Sequence, residues 1–150
     1  MARYLVLGGA GYIGSHTVYE LIANGDEVVV ADSLVTGHRQ AVHPGAAFER
    51  GDIRDRAFMN SLFQKYGIDC VIHFAASSLV GESVNDPLKY YNNNVSGTVS
   101  VLEAMAQNGV KNIVFSSSAA VYGEPQRVPI TEDAQKCPTN PYGATKRTME

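Results

Sequence analysis

The fold is decided near the amino terminus by Tyr4-Leu5-Val6-Leu7-Gly8-Gly9-Ala10-Gly11-Tyr12-Ile13-Gly14. The apolar run predicts a buried strand, and a helical pattern begins directly after the glycines. Where a strand turns sharply into a helix, free backbone N–H groups and the positive end of the helix dipole point toward one place. Side chains would block that place, so Gly8, Gly11 and Gly14 predict a turn that binds the pyrophosphate of a dinucleotide.

A second apolar run supports this interpretation. It spans residues 27–32 and ends in Asp32, 18 residues after Gly14. A carboxylate near this offset hydrogen-bonds the ribose hydroxyls of the adenosine and repels a 2′-phosphate, so NAD is favoured over NADP. Arg39 could reach toward the adenosine, so some binding of NADP stays an alternative. The residues alone also allow a plain strand–helix connection, with Asp32 as a surface turn residue.

Composition limits the class of protein. The chain has 150 residues, of which 45% are hydrophobic and 18% charged, and its net charge is −3. These values are typical of a globular domain with one core, and no Lys/Arg-rich run favours nucleic acid as a partner. The first apolar run is too short for a secretory or membrane segment, so we expect a cytoplasmic protein. Cys70 and Cys137 predict neither a disulfide nor a metal site, and His16 and His73 are expected to be hydrogen-bonded packing residues.

Strand and helix patterns alternate along the chain. Strands are predicted at residues 3–8, 27–32, 46–49, 69–75 and 112–117. Helical stripes are predicted from Ile13, Thr17, Val18, Leu21 and Ile22, from Phe58, Leu62 and Phe63, and over residues 87–107. Apolar strands alternating with helices predict an α/β fold with a doubly wound parallel sheet of the NAD-binding Rossmann type, as one domain over residues 1–150. Ligands bind at the carboxyl ends of the strands in such folds.

Residues near the end of the chain suggest a catalytic base. Asn140 is a good helix cap, and Tyr142 and Lys146 then fall four residues apart on one helical face. An ammonium at that position favours the phenolate form of the tyrosine, which becomes a usable base. Three serines, 116–118, follow the fifth predicted strand and supply hydroxyls at the carboxyl edge of the sheet. The alternatives are a solvated surface pair and an ordinary strand-exit turn.

Taken together, these motifs resemble the extended short-chain dehydrogenase/reductase family. The resemblance covers nearly the whole chain and is carried by Gly8–His16, Gly51–Asp55, His73–Ala76, Val80–Ser83, Pro87–Tyr91, Ser116–Gly123 and Asn140–Gly143. It implies a cofactor site for NAD made of Gly8, Gly11, Tyr12, Ile13, Gly14, Asp32, Asp52, Ile53, Phe74, Ala75, Ala76, Asn94, Tyr142 and Lys146. It implies that Ser118, Tyr142 and Lys146 are catalytic, and no metal is expected.

Within the family, the resemblance is strongest to members that epimerise nucleotide sugars. It implies NAD-dependent inversion at C4 of a UDP-hexose, UDP-glucose or UDP-galactose, through a 4-keto intermediate, with Tyr142 as the base. Other sugar-nucleotide epimerases and dehydratases stay open as alternatives. Dehydratases of the family place carboxylates where this chain has Ala119 and Ala120. Many epimerases carry a lysine where this chain has Ser78.

The resemblance also implies a carboxy-terminal part beyond Glu150. In the family, the residues that follow complete the sheet, close the nicotinamide pocket and bind the UDP group. The full-length protein is then expected to be a homodimer. An isolated NAD-binding fragment without turnover is the alternative for the 150 residues alone.

Overall fold

Five short strands pair into one parallel sheet in the computed structural model, which describes residues 1–150. The strands are β1 (Arg3–Leu7), β2 (Glu27–Asp32), β3 (Ala47–Arg50), β4 (Cys70–His73) and β5 (Asn112–Phe115). Their order in the sheet is β3-β2-β1-β4-β5, and every neighbouring pair is parallel. This order is that of a doubly wound Rossmann-type sheet, so the predicted fold class is confirmed. Each predicted strand is present, with ends that differ by at most two residues.

Six α-helices connect or follow the strands. They are α1 (Tyr12–Ala23), α2 (Arg56–Tyr66), α3 (Val80–Asn85), α4 (Pro87–Tyr90), α5 (Gly97–Gln107) and α6 (Pro141–Met149). Residues Tyr91–Ser96 form a π-helical turn between α4 and α5. The predicted long helix over residues 87–107 is therefore confirmed, with an interruption of the α-helical hydrogen bonding that the apolar pattern did not indicate.

The chain divides into two compact units. Unit 1 contains residues 1–75 and 97–116, with the whole sheet and helices α1, α2 and α5. Unit 2 contains residues 76–96 and 117–150, with helices α3, α4 and α6.

Unit 1 has a core on each face of the sheet because successive strand residues point to opposite faces. On one face, Leu5, Leu7 and Val71 of the sheet pack with residues of α2 and α5. On the other face, Val6 and Val30 pack with residues of α1. Both faces are therefore covered at β1, β2 and β4, as near-continuous apolar strands of a parallel sheet require, whereas Val114 of the edge strand β5 is 58% exposed.

One predicted core residue is exposed. Ile13 was expected on the buried stripe of α1, but 61% of its surface is accessible. The buried side of α1 begins instead at Gly14 and Ser15 and continues through Val18. Gly14 has no side chain, so it lets the first turn of α1 lie against the glycine turn. Ile13, one helical position earlier, points about 100° away from that side.

Candidate functional site

The glycine turn between β1 and α1 is shaped by close backbone contacts. Gly8 has a left-handed backbone angle, φ +79°, and a Cβ there would lie 2.8 Å from the backbone nitrogen of Ala75. A Cβ on Gly14 would lie 2.2 Å from the carbonyl oxygen of Gly8. Both positions therefore require glycine for the chain to fold in this way.

Gly11 differs, because packing does not explain why it is glycine. Its backbone is extended, with φ −80°, and it is the N-cap residue of α1 without any side-chain cap. A Cβ there would meet one protein atom within 4 Å, the carbonyl oxygen of Gly8 at 3.3 Å. A glycine at this place keeps the approach to the first turn of α1 open, and that turn has no acidic side chain. The turn thus fits the pyrophosphate of a dinucleotide.

Asp32 lies at the end of β2 and is joined directly to this turn. Its Oδ2 accepts a hydrogen bond from the N–H of Ala10 at 3.0 Å, and its Oδ1 accepts one from the N–H of Leu34 at 2.8 Å. The side chain is nearly buried. Each carboxylate oxygen can accept a second hydrogen bond, so Asp32 can hold ribose hydroxyls while it stabilises the glycine turn.

The other cofactor candidates of unit 1 have structural contacts of their own. Arg54 donates hydrogen bonds to the Asp52 carboxylate at 2.6 and 2.9 Å, and these hold the pKa of Asp52 below its usual value. Ile53 is buried in the core, where a Cβ on Gly97 would lie 2.5 Å from it. The side chain of Ile53 is thus packed inside the protein, and only its main chain could border a ligand. Phe74 and Ala75 are partly buried and pack on the two cores of unit 1.

In unit 2, helix α6 brings the predicted tyrosine and lysine together. Asn140 caps the helix by accepting a hydrogen bond from the N–H of Gly143 at 2.8 Å, as predicted. The Nζ of Lys146 lies 6.0 Å from the ring centroid of Tyr142. Lys146 is only 4% exposed, and burial lowers its pKa to about 8. The tyrosine ring thus faces a buried, desolvated amine, and the alternative of a solvated surface pair is wrong.

Ser118 caps a short 3₁₀ turn, Ala119–Val121, that packs against α6. Its Oγ accepts a hydrogen bond from the N–H of Ala120 at 3.1 Å, which leaves its own proton to donate. A Cβ on Gly143 would lie 2.5 Å from the carbonyl oxygen of Ala120, so the start of α6 lies directly against this turn. Ser118 and Tyr142 therefore belong to two segments of unit 2 that touch each other.

Asn94, a predicted cofactor residue, lies in the π-helical turn and is fully buried. Its side-chain oxygen accepts a hydrogen bond from the N–H of Ser77 at 2.8 Å, and its side-chain nitrogen donates to the Ser77 carbonyl at 3.0 Å. The same nitrogen lies 3.0 Å from the hydroxyl of Thr145 in α6. Asn94 thus joins the Ala76–Ser78 segment to the helix that carries Tyr142.

Three further buried residues, which no sequence pattern marks as functional, complete this region. Ser83 and Thr145 are fully buried and hydrogen-bond the backbone of Tyr142. Tyr90 is fully buried as well, and its hydroxyl lies 2.7 Å from both the Glu82 carboxylate and the Leu79 carbonyl. Burial raises the pKa of Tyr90 to about 12. Ser83 and Tyr90 carry no sequence signal beyond membership in the family motifs, because a hydroxyl that bonds a distant residue leaves no local pattern. Thr145 lies outside those motifs, and its bond to the carbonyl three residues earlier has no sequence signature.

His73 is fully buried and its Nε2 lies 3.0 Å from the Thr98 hydroxyl, which confirms the expected hydrogen-bonded packing role. His16 is exposed and bonds the carbonyl of Tyr12 at 2.8 Å, so it is hydrogen-bonded but not packed in the core.

No three His, Cys, Asp or Glu side chains are grouped in a way that could hold a metal ion. None of the helices has the length and apolar character needed to cross a membrane.

Comparison with known proteins assigns the family. The sequence profile described as "NAD dependent epimerase/dehydratase family" matches residues 4–150. The chain belongs to this family. A UDP-glucose 4-epimerase of Lacticaseibacillus casei is 59% identical over 145 residues, which are 97% of this chain and 44% of that protein. A UDP-glucose 4-epimerase of Streptomyces lividans is 55% identical over 149 residues, 99% of this chain and 45% of that protein.

Solved structures agree with this assignment. UDP-glucose 4-epimerase from Brucella ovis in complex with NAD has a TM-score of 0.96 and 50% identity, over 99% of this chain and 46% of that chain. The enzyme from Bifidobacterium longum in complex with NAD⁺ and UDP has a TM-score of 0.94 and 41% identity, over 99% of this chain and 47% of that chain. The epimerase-family chain described here thus spans slightly less than half the length of these relatives.

Proposed function

We propose that the protein carrying these residues is an NAD-dependent epimerase that inverts C4 of a UDP-hexose, interconverting UDP-glucose and UDP-galactose. The pair of Tyr142 and Lys146 on α6 is the observation that carries this proposal. Relatives named UDP-glucose 4-epimerase at 55–59% identity and structures with bound NAD support it.

Residues 1–150 are proposed to be the NAD-binding domain, and residues of unit 1 are proposed to bind the pyrophosphate and the adenosine of the cofactor. The N–H groups of Tyr12 and Ile13 would bind the pyrophosphate at the open side of Gly11, and Asp32 would bind the adenosine ribose. The resemblance adds the residues that would border the cofactor elsewhere, which are Phe74, Ala75, Ala76, Asn94 and the main chain near Asp52 and Ile53. When bound, NAD supplies a reversible acceptor for the hydrogen on C4 of the sugar.

The residues of unit 2 are proposed to move the proton. Tyr142 takes the proton of the sugar 4-hydroxyl, and Ser118 donates a hydrogen bond to the same oxygen, where negative charge develops. The Nζ of Lys146 lies 6.0 Å from the ring centroid of Tyr142, and in its protonated form it would place positive charge beside the proposed base and would also bind the nicotinamide ribose. Because burial lowers the pKa of Lys146 to about 8, the charge that supports Tyr142 is lost as the pH rises through that value.

The residues beside Ser118 favour epimerisation over dehydration. Elimination of water needs an additional acid and base, which dehydratases of the family place where this chain has Ala119 and Ala120, and a methyl side chain cannot transfer a proton. A second sugar-nucleotide activity is therefore not favoured by this part of the chain.

Substitution of the tyrosine tests the proposal. In the natural full-length chain, we expect Tyr142→Phe to lower kcat for UDP-galactose at least 1,000-fold, because the ring stays but the proton acceptor is removed, roughly the upper range for one acid–base group. Turnover is measured by coupled oxidation of the UDP-glucose formed. Tyr19→Phe, at an exposed residue of α1, is the matched control. Parent-level turnover by Tyr142→Phe would show that Tyr142 is not the base.

A second substitution tests the cofactor site separately. We expect Gly11→Ala to retain the fold at a small cost in stability, because the Gly8 oxygen, 3.3 Å from the new Cβ, has to shift by only a few tenths of an ångström. NAD affinity should fall by about 100-fold, since the methyl group occupies the approach to the helix terminus. Calorimetric titration with NAD and thermal unfolding measure the two effects. Unchanged affinity in a folded Gly11→Ala variant would mean that the phosphates do not bind at this turn.

The oligomeric state and the cellular location of the enzyme are part of the same proposal. We infer a homodimer for the full-length protein, as the family resemblance implies, and a cytoplasmic location, as the apolar pattern of the sequence predicts. Light scattering of the purified full-length protein tests the first, and a monomeric mass at micromolar concentration would contradict it. Cell fractionation tests the second.

A further inference from the structure

The start of α6 is capped by a side chain that lies far away in the sequence. The first backbone N–H groups of a helix have no partner inside the helix. Pro141 has no N–H, and the N–H of Gly143 is satisfied locally by Asn140 at 2.8 Å. The N–H of Tyr142 is instead satisfied by the Oγ of Ser83 at 3.2 Å, a residue 59 positions earlier in α3.

Ser83 is well suited to fix the position of this N–H group. It is fully buried, and its hydroxyl donates to the carbonyl of Val80 at 2.6 Å. Because the hydroxyl proton is used there, a lone pair of the oxygen faces the N–H of Tyr142.

The carbonyl of Tyr142 is held in a similar way. The hydroxyl of Thr145, fully buried, donates to that carbonyl at 2.7 Å. The oxygen of Thr145 accepts a hydrogen bond from the Asn94 side chain at 3.0 Å. Both polar backbone atoms of Tyr142 are thus bonded by buried hydroxyl groups, each of which has a further protein partner.

We propose that Ser83, with Thr145 as its counterpart, is a positioning residue that fixes the backbone of Tyr142 and thereby aims the phenol at the sugar 4-hydroxyl. This inference rests on the proposed function. A base must lie within about 2.6–3.2 Å of the oxygen whose proton it takes. A displacement of 1 Å can cost about 100-fold in rate, so a small rotation of the first turn of α6 is enough to slow the reaction.

The test compares Ser83→Ala with Ser61→Ala in the natural full-length enzyme loaded with NAD. The Ser61 hydroxyl also donates to the carbonyl three residues earlier, Phe58, at 2.7 Å, but it caps no other helix. We expect Ser83→Ala to lower kcat by about 10- to 30-fold with an unchanged KM for UDP-galactose. Ser61→Ala should keep the parent kcat.

A physical measurement accompanies the kinetics. Hydrogen exchange of the Tyr142 amide should become at least 10-fold faster in Ser83→Ala, because its acceptor is removed, and stay unchanged in Ser61→Ala. The exchange measurement reports the contact without any requirement for turnover.

A second series keeps the proposal testable if Ser83→Ala does not fold. Thr145→Val removes the hydroxyl with little change of shape, and Thr145→Ser retains it. Thr148→Val is the control on the same helix, because the Thr148 hydroxyl bonds only the Ala144 carbonyl, at 2.9 Å. We expect kcat to fall about 10-fold in Thr145→Val, to recover in Thr145→Ser and to stay unchanged in Thr148→Val.

The possible outcomes distinguish the proposed function from the positioning role of Ser83 and Thr145. A parent enzyme without epimerase turnover overturns the proposed function, and the positioning role falls with it. Normal parent turnover with an unchanged kcat in folded Ser83→Ala and Thr145→Val overturns the positioning role alone. A lower kcat with unchanged KM and faster Tyr142 exchange supports it.

Discussion

The two units hold their proposed functional groups in position by different means. In unit 1, the turn between β1 and α1 is made of main chain, and its shape follows from glycines that permit close approaches such as that of Gly14 to Gly8. In unit 2, Tyr142 is held by side chains of Ser83 and Thr145. The first arrangement depends on the absence of side chains. The second depends on buried hydroxyl groups from separate parts of the unit.

This difference predicts different responses to substitution. An added methyl group in the glycine turn should disturb folding or ligand approach, because the contact is backbone against backbone. A lost hydroxyl near Tyr142 should leave the fold in place and change the rate. Three pairs of substitutions test the difference between the units, beginning with the pair of largest expected effect.

Gly14→Ala should have the largest effect on stability. Its Cβ would lie 2.2 Å from the Gly8 oxygen and 2.8 Å from the Gly9 Cα, so α1 must move away from the glycine turn. We expect a loss of about 4 kcal/mol or more in the free energy of unfolding, as for severe overpacking. Urea denaturation followed by circular dichroism measures it.

Gly81→Ala is the control for Gly14→Ala. A Cβ on Gly81, in helix α3, meets no atom within 4 Å. The change should be within about 1 kcal/mol, and alanine's helix propensity favours a gain. Equal stabilities of Gly14→Ala and Gly81→Ala would show that the close approach in unit 1 does not constrain the fold.

Lys146 should give unit 2 a distinct dependence of stability on pH. Burial lowers its pKa to about 8, below the ordinary value near 10.5. Between these values the unfolded chain binds more protons than the folded one, so stability rises with pH. Relative to Lys146→Met, the parent should gain about 2 kcal/mol between pH 7 and pH 9.5.

Urea denaturation of both proteins at several pH values gives this difference. The matched control is Lys111→Met, at an exposed lysine that loses little solvation on folding. A parent that gains no stability relative to Lys146→Met over this range would show that the amine is better solvated than its burial indicates.

The sequence predicts the backbone of unit 1 almost completely. Strand positions follow from apolar runs, and Gly8 and Gly14 occupy positions where only glycine fits, so the local pattern carries the geometry. Ile13 was placed wrongly because helical periodicity does not say which residue begins the buried side.

Much less of unit 2 could be predicted from the sequence. The spacing of Tyr142 and Lys146 and the cap at Asn140 are local, and they were predicted. The hydrogen bonds of Asn94 with Ser77 and Thr145 and the one from Tyr142 to Ser83 were not, since they join residues far apart in the sequence. Side-chain hydrogen bonds between distant segments depend on the assembled structure and have no periodicity.

The smallest expected effects come from two matched helix caps, one in each unit. Asp55 caps α2 by accepting from the N–H of Phe58 at 3.0 Å, and Asn140 caps α6 by accepting from the N–H of Gly143 at 2.8 Å. We expect Asp55→Ala and Asn140→Ala to cost about 1 kcal/mol of stability each.

Turnover should separate the two cap variants, because only α6 carries the proposed base. Asn140→Ala should lower kcat by a few fold, since the residue that it releases is the neighbour of Tyr142, whereas Asp55→Ala should keep the parent kcat. Equal losses of stability with unequal kcat would show that α6 is tuned for position as well as for folding. An unchanged kcat in Asn140→Ala would mean that Ser83 and Thr145 suffice to hold Tyr142, and that the local cap serves stability alone.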